Sequence, residues 1–260
     1  MKRLVFLICA VFLLVQSNNA FAQENNDEWE FYMAPALWAA GVDSKLQAGS
    51  ITVGGEVDFD EVLENLKGGL MGSYGAKNGK FSVNGAFLLM GLEAELPALI
   101  GALGTRTTEI SQYWTHILLG YDLLDMPIGE EMNLKYTQLI GPRYYYNRVV
   151  IDRLALLGGG ELRDMSNSWV DLVVGGAATL DINDKWGLFI NGDIGGFGIG
   201  SSSDLAWTVG AFIDYHKSER STIRIGYKYF KLEKEATFNL GKVDLELEYS
   251  GPVFQWIFNF

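Results

Sequence analysis

Cysteine is almost missing from this sequence, and the single one, Cys9, sits in a leading segment that carries the marks of removal. There Lys2 and Arg3 precede an apolar core of twelve residues, Leu4 to Val15, and Ala20-Phe21-Ala22 supplies a small-x-small exit. That order is the one a secretory signal peptide requires. Cleavage is expected after Ala22, giving residues 1–22 as signal peptide and 23–260 as the mature domain. The apolar core is too short for a membrane helix, which needs roughly 20 residues, and Ile8 before Cys9 is too bulky for a lipoprotein cleavage site. The mature chain then has no thiol, which excludes disulfides, thiol chemistry and cysteine-ligated zinc.

Basic residues are also scarce. Of the 20 Lys and Arg, Lys2 and Arg3 leave with the leader, so 18 face 32 acidic residues and the formal charge moves from -12 to -14. Phosphate backbones call for Lys/Arg clusters, so nucleic-acid binding is excluded. Long apolar runs are missing too: beyond the leader the longest, such as Ala86 to Leu92, are about seven residues, and a membrane helix is not expected. Against these scarcities stand 48% hydrophobic and 13% aromatic residues and a positive mean hydropathy. That is more than short alternating segments need for one soluble core, and a lipid-facing surface uses the excess.

From Trp29 to Phe260 one theme repeats: segments rich in aromatics, β-branched residues and Gly, separated by turn residues. Ten are read, at 29–42, 66–77, 80–94, 106–122, 131–149, 166–182, 185–199, 204–217, 220–236 and 243–260. Lys77-Asn78-Gly79-Lys80, Asn183-Asp184-Lys185 and Lys217-Ser218-Glu219 are tight turns, whereas 43–65, 95–105 and 150–165 are long connections. Short periplasmic turns and long outer loops are what outer-membrane barrels show. The expected fold is all-β: a closed antiparallel up-and-down transmembrane barrel of about ten strands, with eight or twelve as alternatives. Pro97, Pro127 and Gly158-Gly159-Gly160 are placed in connections.

Alternation is clearest late in the chain. Ile223, Ile225, Tyr227 and Tyr229 share one face opposite Arg224, Gly226 and Lys228; Leu205, Trp207, Val209, Ala211, Ile213 and Tyr215 share another opposite Thr208, Gly210 and Asp214. A soluble sandwich alternates as well. The aromatics discriminate better, because Trp29, Phe31, Tyr121, Trp186, Tyr215, Trp256, Phe258 and Phe260 fall near periplasmic strand ends, as an interfacial girdle does. At the chain end Phe254, Trp256, Phe258 and Phe260 alternate with Gln255, Ile257 and Asn259, which resembles the C-terminal strand signature read by the outer-membrane assembly machinery. Upstream of Ser250-Gly251-Pro252 the apolar residues Leu245, Leu247 and Tyr249 switch parity, which suggests a β-bulge or kink there.

With these features the chain resembles the small, porin-like Gram-negative outer-membrane β-barrel proteins, in particular a poorly characterised group of them. The stretches that carry the likeness are Ala34-Pro35-Ala36-Leu37-Trp38-Ala39-Ala40-Gly41, Asp60-Glu61-Val62-Leu63-Glu64-Asn65-Leu66, Gly192-Asp193-Ile194-Gly195-Gly196-Phe197-Gly198 and Ser250-Gly251-Pro252. The resemblance covers nearly the whole mature chain. It implies a fold and a location in the cell outer membrane, and no particular substrate.

Candidate site residues are the charges on the expected inner face: Lys67, Arg143, Asp171, Asp193, Asp214, Arg224 and Lys228. Counting from the turns brings Arg143 level with Asp171, and Asp214 level with Arg224. Because an unpaired ion in a partly dry interior costs several kcal/mol, the favoured reading is an ion-pair belt that closes the lumen; a solute-selective constriction is the other. Ten strands lie between the eight that side chains fill and the 16–18 of open porins, so any passage is narrow. Phe59, Val62, Leu63 and Leu66 follow helical spacing in the first long loop. Its acids, with Asp58, match no calcium-loop spacing, and no metal site is expected. The glycines from Gly195 to Gly200 lack the Lys-Ser/Thr ending of a phosphate loop and read as inward-facing strand glycines.

The leading function is therefore a non-enzymatic outer-membrane barrel, either a narrow porin-like channel for small solutes or a structural or surface barrel. An outer-membrane enzyme acting on lipid or peptide is the first alternative. It lacks the outer-rim His it needs, since His216 lies by a periplasmic turn and His116 faces inward with Gln112. A soluble exported β-barrel binding protein is the second. No cofactor is expected; the partners are membrane lipid and lipopolysaccharide, the assembly machinery and a small solute.

Overall fold

A computed structural model describes residues 28–48, 51–97, 105–152, 161–238 and 241–260. The expected signal peptide with Cys9, and the Gly158-Gly159-Gly160 run, lie outside the described residues. The alternating segments form strands throughout. They are β1 (Glu30–Trp38), β2 (Gly41–Ala48), β3 (Ile51–Val57), β4 (Leu66–Asn78), β5 (Phe81–Pro97) and β6 (Thr105–Ile128), then β7 (Met132–Asp152), β8 (Glu161–Asp181), β9 (Trp186–Gly196), β10 (Leu205–Ser218), β11 (Ser221–Phe238) and β12 (Gly241–Asn259). One short helix, α1 (Phe59–Glu64), joins β3 to β4 and buries Val62.

Ten strands close into an antiparallel ring, because β1 pairs with β4 on one edge and with β12 on the other. The remaining two stand outside the ring. β2 prolongs the line of β1 along β12, and β3 folds back on β2. The register gives the stagger of the barrel: stepping from Tyr32 through Gly75, Asn84, Leu118, Gly141, Val173, Gly195, Ala206 and Leu232 ends at Leu247, twelve residues from Tyr32's direct partner Asn259. With about 3.3 Å per residue and about 4.8 Å between strands, that shear tilts ten strands by roughly 40°.

Four details depart from the sequence reading. The 43–65 connection holds a hairpin and a helix rather than a plain loop. Pro127 lies inside β6 opposite Asn133. Beyond Asp122, whose N–H already bonds Lys80 at the start of the neighbouring strand, β6 has only β7 beside it, so the missing proline donor faces no second ladder. Pro97 is the last residue of β5. No bulge or kink occurs at Ser250-Gly251-Pro252, since the β11–β12 ladder runs unbroken from Ser221↔Phe258 to Phe238↔Gly241. The irregularity sits in the opposite neighbour, where Ala39 and Ala40 separate β1 from β2. Gly251 is what lets them approach: a Cβ there would lie 2.1 Å from the Ala39 carbonyl oxygen.

The parity switch at residue 250 has a different cause. Along β11 the outer face runs Ile223, Ile225, Tyr227, Tyr229 and then Lys231, Glu233, Glu235, while the inner face runs Thr222, Arg224, Gly226, Lys228 and then Phe230, Leu232, Lys234. Ile225 and Tyr227 are each 55% exposed, whereas Phe230 and Leu232 are 4% and 2% exposed. Near the tight turns the wall is apolar outside and polar inside; near the long loops it is the reverse. On β12 the same change sets outward Phe254 and Trp256 against inward Leu247 and Tyr249, with Glu246 and Glu248 outside. Lys231 is gripped on that outer wall by Glu246, Glu248 (2.9 Å) and Glu233 (3.2 Å), which push its pKa up, Glu246 most. The turn half is built for lipid and the loop half for water.

At the lipid end the aromatics form edges of contact, such as Phe81 on Tyr121 and Trp186 on Tyr215, both with centroids 5.0 Å apart. Ile225→Arg, at mid-belt, is expected to cost about 2–4 kcal/mol, read as a fall in the urea midpoint of vesicle-inserted protein. Glu233→Arg on the same face, above the belt, loses only an exposed pair with Lys231 and should cost about 1 kcal/mol or less.

Candidate functional site: a blind chamber under an aromatic plug

Phe230 is the hub of the inner loop half. Trp114 stacks on it at 6.3 Å, Tyr145 and Tyr249 reach it at 6.4 and 5.9 Å, Trp169 stacks on Tyr145 at 5.0 Å, and Trp38 meets Tyr249 at 5.9 Å. These six rings come from β1, β6, β7, β8, β11 and β12, so they fill the lumen from around the ring. The Tyr249 hydroxyl also donates to Gln112, joining β12 to β6 across the barrel. Above the plug the 197–204 turn folds inward. Ser203 N–H donates to Asp171 Oδ1 (2.8 Å), Trp169 Nε1 donates to Ser203 Oγ (2.7 Å), and Lys234 Nζ donates to the Ser201 carbonyl (2.6 Å).

That turn revises the reading of the glycine run. β9 ends at Gly196, and Gly196, Phe197, Gly198 and Gly200 all have positive φ, so these glycines make a tight turn rather than a strand face.

Below the plug lies a chamber of about 660 Å³ that opens at the turn end beside Glu30, Glu219 and Arg220 and stops at His116 and Lys228. Ion pairs line it or stand just behind its wall. Arg224 donates from Nε and Nη2 to both oxygens of Asp214 at 2.7 Å, and its guanidinium lies 3.6 Å from the centre of the Phe189 ring. Arg143, 2% exposed, bonds Asp193 at 2.7 Å. Nearer the mouth Asp122, which the sequence reading passed over, holds Lys77 at 2.8 Å and accepts from Thr137 at 2.6 Å.

Of the expected lumen ion pairs, one residue lies outside the lumen and two lie inside it without the expected partner. Lys67 is not in the lumen: a register shift between Leu66 and Gly68 turns it to the outer wall, where Glu93 and Glu109 pair with it. Asp171 sits directly opposite Arg143 in the ladder, yet it caps the Ser203 turn while Arg143 turns to Asp193. Lys228 does project inward, but among the described residues no carboxylate lies within ion-pair distance; its ammonium stands 4.9 Å from the Trp38 ring and 5.0 Å from the Trp114 ring. Aromatic rings thus fill the loop half of the lumen, where the sequence reading looked to charges. The signal for this was available in the parity of Phe230, Leu232, Leu247 and Tyr249, which match inward residues such as Arg224 and Gln255.

His116 lines the blind end, with its Nδ1 buried and without a protein partner, and His216 lies at the turn end against Thr222 (3.0 Å) and Asp181 (3.8 Å). Phe254, Trp256 and Phe258 follow the outward parity at the turn end of β12, and Phe260, just past the strand, lies at the chamber mouth.

No protein-family model matches the chain, and no curated protein matches it. Solved structures that resemble it include Ail, the attachment invasion locus protein of Yersinia pestis (9% identity, 88% of this chain and 99% of that one, TM-score 0.36). Neisserial surface protein A is another (13%, 88% and 98%, 0.34), as is a Pseudomonas aeruginosa FadL homologue (9%, 90% and 90%, 0.28). All are Gram-negative outer-membrane β-barrels. At these TM-scores the likenesses carry no functional argument, and the chain's own surface must supply it.

Arg143→Met would leave Asp193 buried with its ion-pair partner removed. It is expected to cost about 3–5 kcal/mol, read by the unfolding midpoint, and Asp193→Asn in the same background should restore part of the loss.

Proposed function

We propose that the protein is an outer-membrane barrel whose lumen is sealed, a structural or surface element of the Gram-negative envelope and not an open pore. The single observation that carries this reading is the Phe230-centred plug with the Tyr249–Gln112 bond spanning it. Hydrated solutes cannot pass close-packed aromatic rings unless the rings move. On this reading residues 1–22 direct export, and Phe254, Trp256, Phe258 and Phe260 serve recognition by the assembly machinery. The turn end faces the periplasm. The charged outer wall around Lys67 and Lys231 lies level with lipopolysaccharide head groups.

Planar-bilayer recording tests the proposal. The native protein should show no steady conductance, and the triple replacement Trp114→Ala, Tyr145→Ala, Phe230→Ala should introduce discrete steps, with heat-modifiable gel migration reporting that the variant still folds. Steady single-channel steps through the native protein would sink the sealed-barrel reading in favour of a narrow channel.

A further inference from the structure

We propose that the blind end of the chamber binds a small organic carboxylate entering from the turn end, with Lys228 as its charge partner. Lys228 reaches from β11 to the lumen axis, where Trp114 approaches from the opposite wall and Trp38 from β1. The charges nearest to it are Arg143 and Asp193, and these bond one another. One positive charge is left over at the closed end of a narrow chamber. An unmatched buried ion costs several kcal/mol, and an anion that reaches it recovers that cost.

The surroundings suit a ligand. In the ladders on either side of Lys228 stand Gly210 and Gly251, and the Phe212 ring of β10 lies over Gly210, where a Cβ would come 2.5 Å from it. The Asn191 amide leans over Gly210, where a Cβ would lie 2.7 Å from its Oδ1. That Oδ1 and His116 Nδ1 are both buried and lack a protein partner, so an amide or imidazole N–H turned to the chamber can donate to a carboxylate oxygen. Phe212, Leu118 and Leu139 supply apolar wall for the body of the molecule. About 660 Å³ falls within the range of small-molecule sites. Arg224 is held by both oxygens of Asp214, and Arg143, bonded to Asp193, does not line the chamber, so the one free ammonium matches a single negative charge better than a phosphate dianion, which calls for Arg forks.

The site rests on the sealed-barrel reading only for its side of entry, and conductance decides that reading separately. The experiment uses the full chain in non-ionic detergent, titrated calorimetrically with sodium benzoate, benzamide and inorganic phosphate. Benzoate should bind one to one, and its neutral isostere benzamide and phosphate should not. Lys228→Met should weaken benzoate by about 30-fold or more, the effect of removing one partner of a buried charge pair, while Lys228→Arg retains it. Equal binding of benzoate and benzamide, preference for phosphate, no benzoate binding at millimolar concentration, or unchanged affinity in Lys228→Met overturns the proposal. Should Lys228→Met fail to fold, the benzoate–benzamide comparison on the native protein decides alone.

Discussion

A closed ladder fixes the parity of every strand, so a strand that leaves lipid must exchange the chemistry of both its faces at once. With ten strands hydrogen-bonded into a ring there is no edge at which to slip register. In the turn half, outward Ile225 and Tyr227 meet hydrocarbon and inward Arg224 meets Asp214; three rungs higher, outward Lys231 meets water and inward Leu232 must find an apolar partner. Its apolar partners are Ala206 and Leu247 beside it and the rings that reach in from around the barrel. The aromatic plug is therefore what results when a membrane barrel continues past the membrane without changing its backbone.

The same constraint separates two kinds of closure. In the turn half a narrow lumen contains charges that have left water, and they are held by opposite charges on nearby strands, as Arg224 is by Asp214 and Asp122 by Lys77. In the loop half the wall is shielded from water by rings rather than by lipid, and the polar groups that remain there tie down backbone. Asp171 and Lys234 illustrate this, since both spend their hydrogen bonds on the 201–203 turn.

Much of this was legible in the sequence because lipid and turns write simple patterns. The ten segments, the tight turns at Gly79 and Lys217 and the outward stripes follow from alternation and turn chemistry alone. What escaped was anything that depends on which of two solvents a face meets. Leu245, Leu247 and Tyr249 alternate as cleanly as Phe254 and Trp256, and taking apolar to mean lipid-facing turned a change of solvent into an imagined bulge. Lys67 was missed for the opposite reason, because a real register shift one residue long leaves no mark in composition. Choices among equally placed charges were also invisible: Asp171 and Asp193 both lie beside Arg143, and only the inward fold of the 197–204 turn decides that Asp171 is already engaged.

Lys228 stands where the two regimes meet. Two inward steps below it on β11 is Arg224, paired with Asp214, and one step above it is Phe230, the centre of the plug. A carboxylate partner placed beside it would have to enter the aromatic layer or displace Asp193 from Arg143. Two indole faces stabilise the ammonium without adding charge, which keeps the cation at the boundary and leaves its side toward the chamber unopposed. Position along the strand, more than any local motif, makes this lysine different from the arginines around it.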